Sequence, residues 1–431
     1  MADLEDLQRQ TDFTVAGRGD GERKVTFLPE PPRQTRRWPI ISVDDHIVEP
    51  KHTFEGRFPK ALQDQAPRVI ETEDGGEVWT YAGEVLPNVG FNAVVGRPVM
   101  EYSFEPARFD QMRRGAWDIH ARIQDMDTGG VWASMNFPSF LPGFAGQRLQ
   151  LLPKDEKLAL AAVRAWNDWC FEEWAGTYPG RIIPMQIPYL LDPEIAAEEV
   201  RRNAARGFRA ITFSEAPDKL GLPTLHSGYW DPLMAACEET ETVVCLHIGS
   251  SSTAPSTSDD APPDVVGVLF FGYAMFSATD WLYSQIPVRF PKLKICLSEG
   301  GIGWVGGLLD RLDHVLKYSA MYGTWQGELK PSEVLKRNFW FCAIDDPTGF
   351  QTRDRIGVEN LLIESDYPHA DSNWPSTQDH FARQFEGIPD GDLERITWKN
   401  AAELFRMDVP ASVIADPDAP WASEAARRGE A

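Results

Sequence analysis

Cysteine and histidine are scarce in this chain, with five and eight among 431 residues. The cysteines (Cys170, Cys237, Cys245, Cys296, Cys342) are odd in number, widely spaced and never in a Cys-x-x-Cys pair. That excludes a disulfide framework and a zinc ribbon, and points to a reducing compartment, the cytoplasm. No basic and apolar leader opens the chain, so export is not expected. Long apolar runs are also missing. The longest, residues 265–279, falls short of the ~20 residues that cross a bilayer and reads as a buried helix. Basic excess is absent too: 42 Lys+Arg against 65 Asp+Glu leave a net charge of −23. Neither nucleic acid nor an anionic membrane is therefore an expected partner, because both need clustered cations. No Gly-x-x-x-x-Gly-Lys loop marks a nucleoside triphosphate site.

What the chain does have is apolar and aromatic mass: 42% hydrophobic residues, with 23 Phe, 15 Trp and 10 Tyr, enough for a large core. After a polar arm (residues 1–38), eight short apolar or β-branched runs alternate with helical patterns, at residues 40–43, 131–137, 181–186, 210–213, 242–246, 294–298, 338–342 and 361–364. Their continuous apolar character suits strands buried on both faces of a parallel sheet. Helix signals fall between them. Asp192-Pro193 before residues 194–206 and Gly207 supply a cap, a first-turn proline and a glycine stop, and Asp231-Pro232 opens another helix. Eight alternations predict an α/β fold, a (β/α)8 TIM barrel over residues 39–406. The connection after the first strand is too long for a plain loop. Residues 48–125 are expected to form a small β-rich insertion or lid, and residues 407–431 a loosely packed tail.

Barrel chemistry sits at the C-terminal ends of the strands. Collected there are Asp44-Asp45-His46 and Glu49, His247, Glu299-Gly300-Gly301, and Asp366-Tyr367-Pro368-His369. Carboxylates and imidazoles without thiolates suit Fe, Mn or Zn. Asp44 and His46, two apart on an extended chain, point to one face. Singly, each has a bland explanation: a turn acid, a helix cap, a loop histidine. Together, spread over four strand ends, they read as a metal site. His226 is a further candidate for orienting substrate, and Glu49 for supporting a ligating histidine. His120 and His314 lie in helical patterns and read as packing or surface residues, and residues 269–276 as core.

The Ser42–Pro50, Ser298–Trp304 and Glu364–Ser372 segments, with His247, resemble the amidohydrolase-related barrel enzymes of the amidohydrolase-2 group. The resemblance implies that Asp44 stands where the group's first imidazole of His-x-His usually stands, that His46 stands at the second, and that His247 and Asp366 match later ligands. Glu299 takes a place where hydrolytic and decarboxylating relatives typically carry histidine. No lysine follows the fourth strand, where Phe213-Ser214-Glu215 stands instead. A set of Asp44, His46, His247, Glu299, Asp366 and His369 would hold a divalent metal, with two irons expected and Zn or Mn as alternatives, and Glu299, Asp366 and His226 as catalytic candidates. The combined motifs are similar to a branch containing a non-haem diiron monooxygenase. That similarity ranks oxygenation of an apolar, CoA-linked acid first, ahead of metal-dependent hydrolysis of an amide, ester or thioester and of non-oxidative decarboxylation. The implied partners are a small molecule and further copies of the chain. A CoA-linked substrate would need a local basic patch, for which Arg108, Arg113, Arg114 and Arg148 are the candidates.

Overall fold

The computed structural model describes residues 21–428 apart from 87, 88, 104, 105, 140 and 259; residues 1–20 of the arm and 429–431 of the tail lie outside the described residues. Twelve strands follow in chain order among them: β1 (Ile40–His46), β2 (Arg68–Glu71), β3 (Glu77–Tyr81), β4 (Glu84–Leu86), β5 (Val131–Phe137), β6 (Ile182–Ile183), β7 (Met185–Gln186), β8 (Ala210–Ser214), β9 (Val243–His247), β10 (Ile295–Ser298), β11 (Phe339–Ala343) and β12 (Leu361–Ile363). Nine of them form one sheet in the order β6-β5-β1-β12-β11-β10-β9-β8-β7. Every pairing in it is parallel. Its two ends, β6 and β7, are separated only by Pro184, which has no N–H to give to a ladder. Residues 182–186 are thus one broken strand with β5 on one side and β8 on the other, and the α/β architecture is that of the eight-strand barrel.

The strands are apolar on both sides because two layers bury them. Ile211, Phe213, Val244, Leu246, Ile295, Leu297 and Phe341 pack outward against helix residues such as Ala197, Leu233, Trp281 and Leu309. Val43, Met135, Met185, Ala210, Cys245, Cys296, Cys342 and Leu362 form a second cluster, the barrel floor. All five cysteines are free and buried, and three of them are small apolar fillers here.

The connection after β1 contains the antiparallel sheet β2-β3-β4. Its Phe54, Trp79, Tyr81, Phe109 and Met112 belong to the same core as the barrel helices, so the insertion is packed onto the barrel rather than around a core of its own.

Two expectations are corrected. The tail does not pack loosely. Trp421 is buried against Trp132, with ring centroids 5.2 Å apart, and lies under the Arg36 guanidinium; Glu424 pairs with Arg36 at 2.8 Å and Arg427 with Asp127 at 2.7 Å. Aromatic area and ion pairing hold it there despite its Ala/Asp/Pro composition. Residues 265–279 are not one buried helix either. They fall in two helices, Pro263–Leu269 and Gly272–Tyr283, bent by 50° at the break, and the first buries none of its residues. Among the described residues no single helix is long and apolar enough to cross a membrane.

Candidate metal centre

β1 runs straight through the Asp-Asp-His motif, and its register against β5 shifts between Ser42 and Asp45. Such an irregularity re-aims side chains. Asp45 turns into a polar scaffold, accepting from Ser42 Oγ at 3.2 Å, from Tyr367 N at 3.0 Å, and from the Ser134 and Ser365 hydroxyls. Asp44 and His46 turn to the barrel mouth. The β1 and β12 ends are zipped together there: Asp366 N donates to Asp44 O at 2.9 Å and His46 N to Tyr367 O at 2.7 Å. Arg122, fully buried, donates to the His46 carbonyl and, at 2.7 Å, to Gly115 O.

Six predicted residues meet at this mouth. His46 Nε2 lies 3.0 Å from His247 Nε2, 3.6 Å from Asp44 Oδ1 and 3.4 Å from Asp366 Oδ1. His247 Nε2 lies 3.5 Å from Asp44 Oδ2 and 3.3 Å from Glu299 Oε2, and His369 Nδ1 lies 3.1 Å from Asp366 Oδ1. Two overlapping triads result, Asp44-His46-His247 and His46-Asp366-His369, each with its ligand atoms within 4.8 Å of one another. All six are buried except the Glu299 side chain, 18% exposed, which is the part of the cluster open to an incoming molecule. Phe137 and Phe144 pack against the His46 and His247 rings, with Phe144 4.5 Å from His247.

The electrostatics fit a cation. Both carboxylate oxygens of Asp44 and both of Asp366 are buried without a hydrogen-bond partner, an arrangement that is costly unless an ion is held there. Burial, then the surrounding carboxylates, pushes Asp44, Glu299 and Asp366 well above the usual carboxylate range. Burial takes His247 and His369 down to about 3 and His46 well below its usual value, so all three imidazoles are neutral, the ligating form. His247 Nδ1 donates to Ile248 O at 2.6 Å, leaving the Nε2 lone pair to the site.

The structure does not bring His226 into this cluster. It is half exposed and sits 2.7 Å from Asp280 Oδ1. Glu49 is buried elsewhere, accepting from Trp166 Nε1 at 3.0 Å and Ser139 N at 3.2 Å. The four arginines proposed as a phosphate patch do not form one. Arg108 pairs with Glu71 and Asp110, Arg113 with Glu30 and Asp125, and Arg114 with Asp118, while Arg148 is buried. Gly301 to Gly306 has the glycine spacing of a dinucleotide turn, but the Ile302 and Gly303 amides already donate to Asp346 Oδ2, at 2.5 and 2.8 Å.

Sequence reasoning missed Glu364. It shares the inward parity of Leu362 on β12, lies beneath the site, and accepts the Glu299 N–H at 3.1 Å and the Cys342 thiol. That parity was the available signal.

The amidohydrolase family profile matches residues 77–407, and the chain belongs to that family. No curated protein sequence matches it. Among solved structures it is similar to an amidohydrolase from Mycobacterium avium subsp. paratuberculosis, with 22% identity over 86% of this chain and 99% of that one and a TM-score of 0.66. A 5-carboxyvanillate decarboxylase from Novosphingobium aromaticivorans, in complex with manganese and 4-hydroxy-3-methoxy-5-nitrobenzoic acid, shares 17% identity over 88% and 99% of the chains, with a TM-score of 0.60. A dihydroxybenzoic acid decarboxylase from a Polaromonas species, with manganese and 2-nitroresorcinol bound, shares 19% over 86% and 98%, with a TM-score of 0.58. These likenesses establish the barrel fold.

Proposed function

We propose that the protein is a divalent-metal-dependent carboxy-lyase that removes CO2 from a small aromatic acid without an oxidant. The observation that carries the metal is the set of four orphaned, buried oxygens of Asp44 and Asp366 facing neutral imidazoles. The reaction class and aromatic substrate rest on the decarboxylases that share the fold, both named with manganese and an aromatic ligand. Asp44, His46, His247, Asp366 and His369 would hold the ion, with Glu299 at its open side. Bound there, the ion would act as a Lewis acid on substrate oxygens.

The chain's own groups do the rest. Phe137, fully buried, backs the His46 and His247 rings, and the partly exposed Phe144 beside them would offer a ring face to a planar acid. The C–C bond to the carboxylate breaks, its electron pair stays on the ring carbon, and that carbon takes a proton. Glu299, the one carboxylate of the cluster with a partly exposed side chain, is positioned to deliver it.

A second reading is oxygenation. What favours it is the oxygen-rich donor set: Asp44 and Asp366, one in each of the two triads that share His46, with Glu299 beside His247, a mixture of carboxylates and imidazoles that suits iron as well as manganese. One experiment separates the two. Protein loaded with manganese or, anaerobically, with iron is given a panel of hydroxybenzoic acids, and CO2 and O2 are followed together. CO2 release under argon supports the lyase, whereas turnover only with O2 uptake refutes it in favour of the oxygenase.

A further inference from the structure

Between the insertion and the barrel lies a cavity of about 680 Å³ that none of the six clustered residues lines. Its size is that of a small-molecule site, ~300–1,000 Å³. Two aromatic pairs wall it. Phe109 and Trp117 come from the insertion, with ring centroids 5.8 Å apart, and Trp169 and Trp174 from the barrel, 5.9 Å apart. Phe109, Trp169 and Trp174 are buried and Trp117 is partly exposed, so the rings are held in place by packing. Trp174 and its neighbour Glu173 stand on a π-helical turn (Cys170–Ala175) that continues the helix Glu156–Trp169, a distortion that occurs mostly at functional sites.

The walls define what would bind. The indole N–H of Trp117 donates to Phe109 O at 3.3 Å and that of Trp174 to Asn136 Oδ1 at 2.7 Å, so these side chains offer the cavity ring surface and no donor. An aromatic face carries partial negative charge and attracts cations. Four lining side chains are carboxylates (Glu77, Asp110, Asp118, Glu173) and two are permanent cations (Lys51, Arg108). Both cations are already held by acids, Lys51 by Glu77, and Arg108 by Glu71 and Asp110 at 3.2 and 3.3 Å, which disfavours an anion. One ammonium already has this setting. Lys51 Nζ lies 5.2 Å from the Phe109 ring centroid while it pairs with Glu77.

We propose that this cavity is a second ligand site, for an organic cation whose ammonium group sits against the tryptophan rings beneath the carboxylate rim. The inference is independent of the reaction proposed above. Trp174 is also part of the scaffold behind the metal centre, because Asn136 Nδ2 donates onward to Ser134 Oγ at 2.6 Å and Ser134 to Asp45. The testing substitutions are therefore placed at Trp117 and at Glu173, whose side chain is 46% exposed.

Isothermal titration calorimetry of the full chain tests this with three probes of one ring: benzyltrimethylammonium, neutral benzyl alcohol and anionic phenylmethanesulfonate. The cation is expected to bind at least about five-fold more tightly than the alcohol, and the anion not at all. Trp117→Leu should weaken the cation at least about five-fold, with circular dichroism unchanged. Glu173→Gln, a change of charge alone on a partly exposed side chain, should weaken the cation at least about two-fold and leave the alcohol unaltered. Glu299→Gln should bind the cation as the wild type does, which separates this cavity from the carboxylates of the barrel mouth. The proposal is overturned if the alcohol or the sulfonate matches the cation, if Trp117→Leu and Glu173→Gln both bind as wild type, or if Glu299→Gln abolishes binding.

Discussion

Replacing Asp366 by asparagine should make the metal-free protein more stable and the metal-loaded protein less so. Both Asp366 oxygens are buried without a partner, among Asp44, Glu299, Glu364 and Asp371. Leaving one buried polar group unsatisfied costs about 1–3 kcal/mol, more when it is charged. Asparagine keeps the shape, tolerates the left-handed backbone at this position (φ +50°) and removes one like charge from the nest. The sign follows from linkage. The folded-state pKa of Asp366 is raised, so near its unfolded value of about 4 the carboxyl is still protonated in the folded chain and only half ionised in the unfolded one, and the substitution changes little. As pH rises the unfolded chain ionises while the folded site resists, and wild-type stability falls. The apo variant should therefore match apo wild type near pH 4 and exceed it by about 1–3 kcal/mol at pH 7.5. Manganese at about a hundred times its Kd adds about 2.7 kcal/mol to a protein that binds it. The wild type should gain that and the variant, left with only the Asp44-His46-His247 triad, clearly less. Urea unfolding at the two pH values, with chelator or with manganese, reads all the arms. An apo variant less stable than wild type at pH 7.5, or equal manganese stabilisation of both, refutes the reasoning.

Glu299→Gln should retain metal by elemental analysis, because both triads are intact, and lower turnover about 10²- to 10⁴-fold. Burial raises Glu49 to about 7, so its ionisation destabilises the fold as pH climbs from its unfolded value through about 7. Glu49→Gln, which keeps the acceptor for Trp166 and Ser139, should raise the unfolding midpoint at pH 8 and leave it unchanged at pH 4.5. Trp421→Ala removes the plug against Trp132 and Arg36 and should cost about 3–5 kcal/mol in urea unfolding, with metal content unaffected. His226→Ala, an exposed change, should alter stability by no more than about 0.5 kcal/mol and leave metal content alone.

The barrel was legible because parallel strands buried on both faces leave an unbroken apolar signature, as in residues 243–246 and 361–363, which a half-solvated strand would not. The clustering of these carboxylates and imidazoles was legible because each of the six follows or ends such a run. What escaped depended on neighbours that periodicity does not name. His226 sits after a strand in the chain, as His247 ends one, but a 3-10 turn (Leu225–Ser227) carries it to the surface and Asp280. Composition marked residues 265–279 as apolar without saying whether this chain or another covers them. The tail looked weak because its few anchoring contacts, at Trp421, Glu424 and Arg427, reach residues far away in sequence.

The two carboxylates that sit after β10 and β12 share a further property. Glu299 and Asp366 both hold left-handed backbone, at φ +56° and +50°, where a non-glycine residue bears strain of about 1–3 kcal/mol. Each is held by its own N–H, that of Glu299 on Glu364 Oε2 and that of Asp366 on Asp44 O. An extended backbone would alternate side chains in and out of the barrel. The left-handed residue instead breaks the strand so that the carboxylate turns across the mouth toward the imidazoles of β1 and β9. A buried glutamate under Glu299 is thus part of the apparatus that aims it, and the Cys342 thiol that donates to the same oxygen explains why a carboxylate can remain on the barrel floor. The strain, the orphaned oxygens and the like charges all destabilise this cluster by itself, and a bound cation would relieve the last two together.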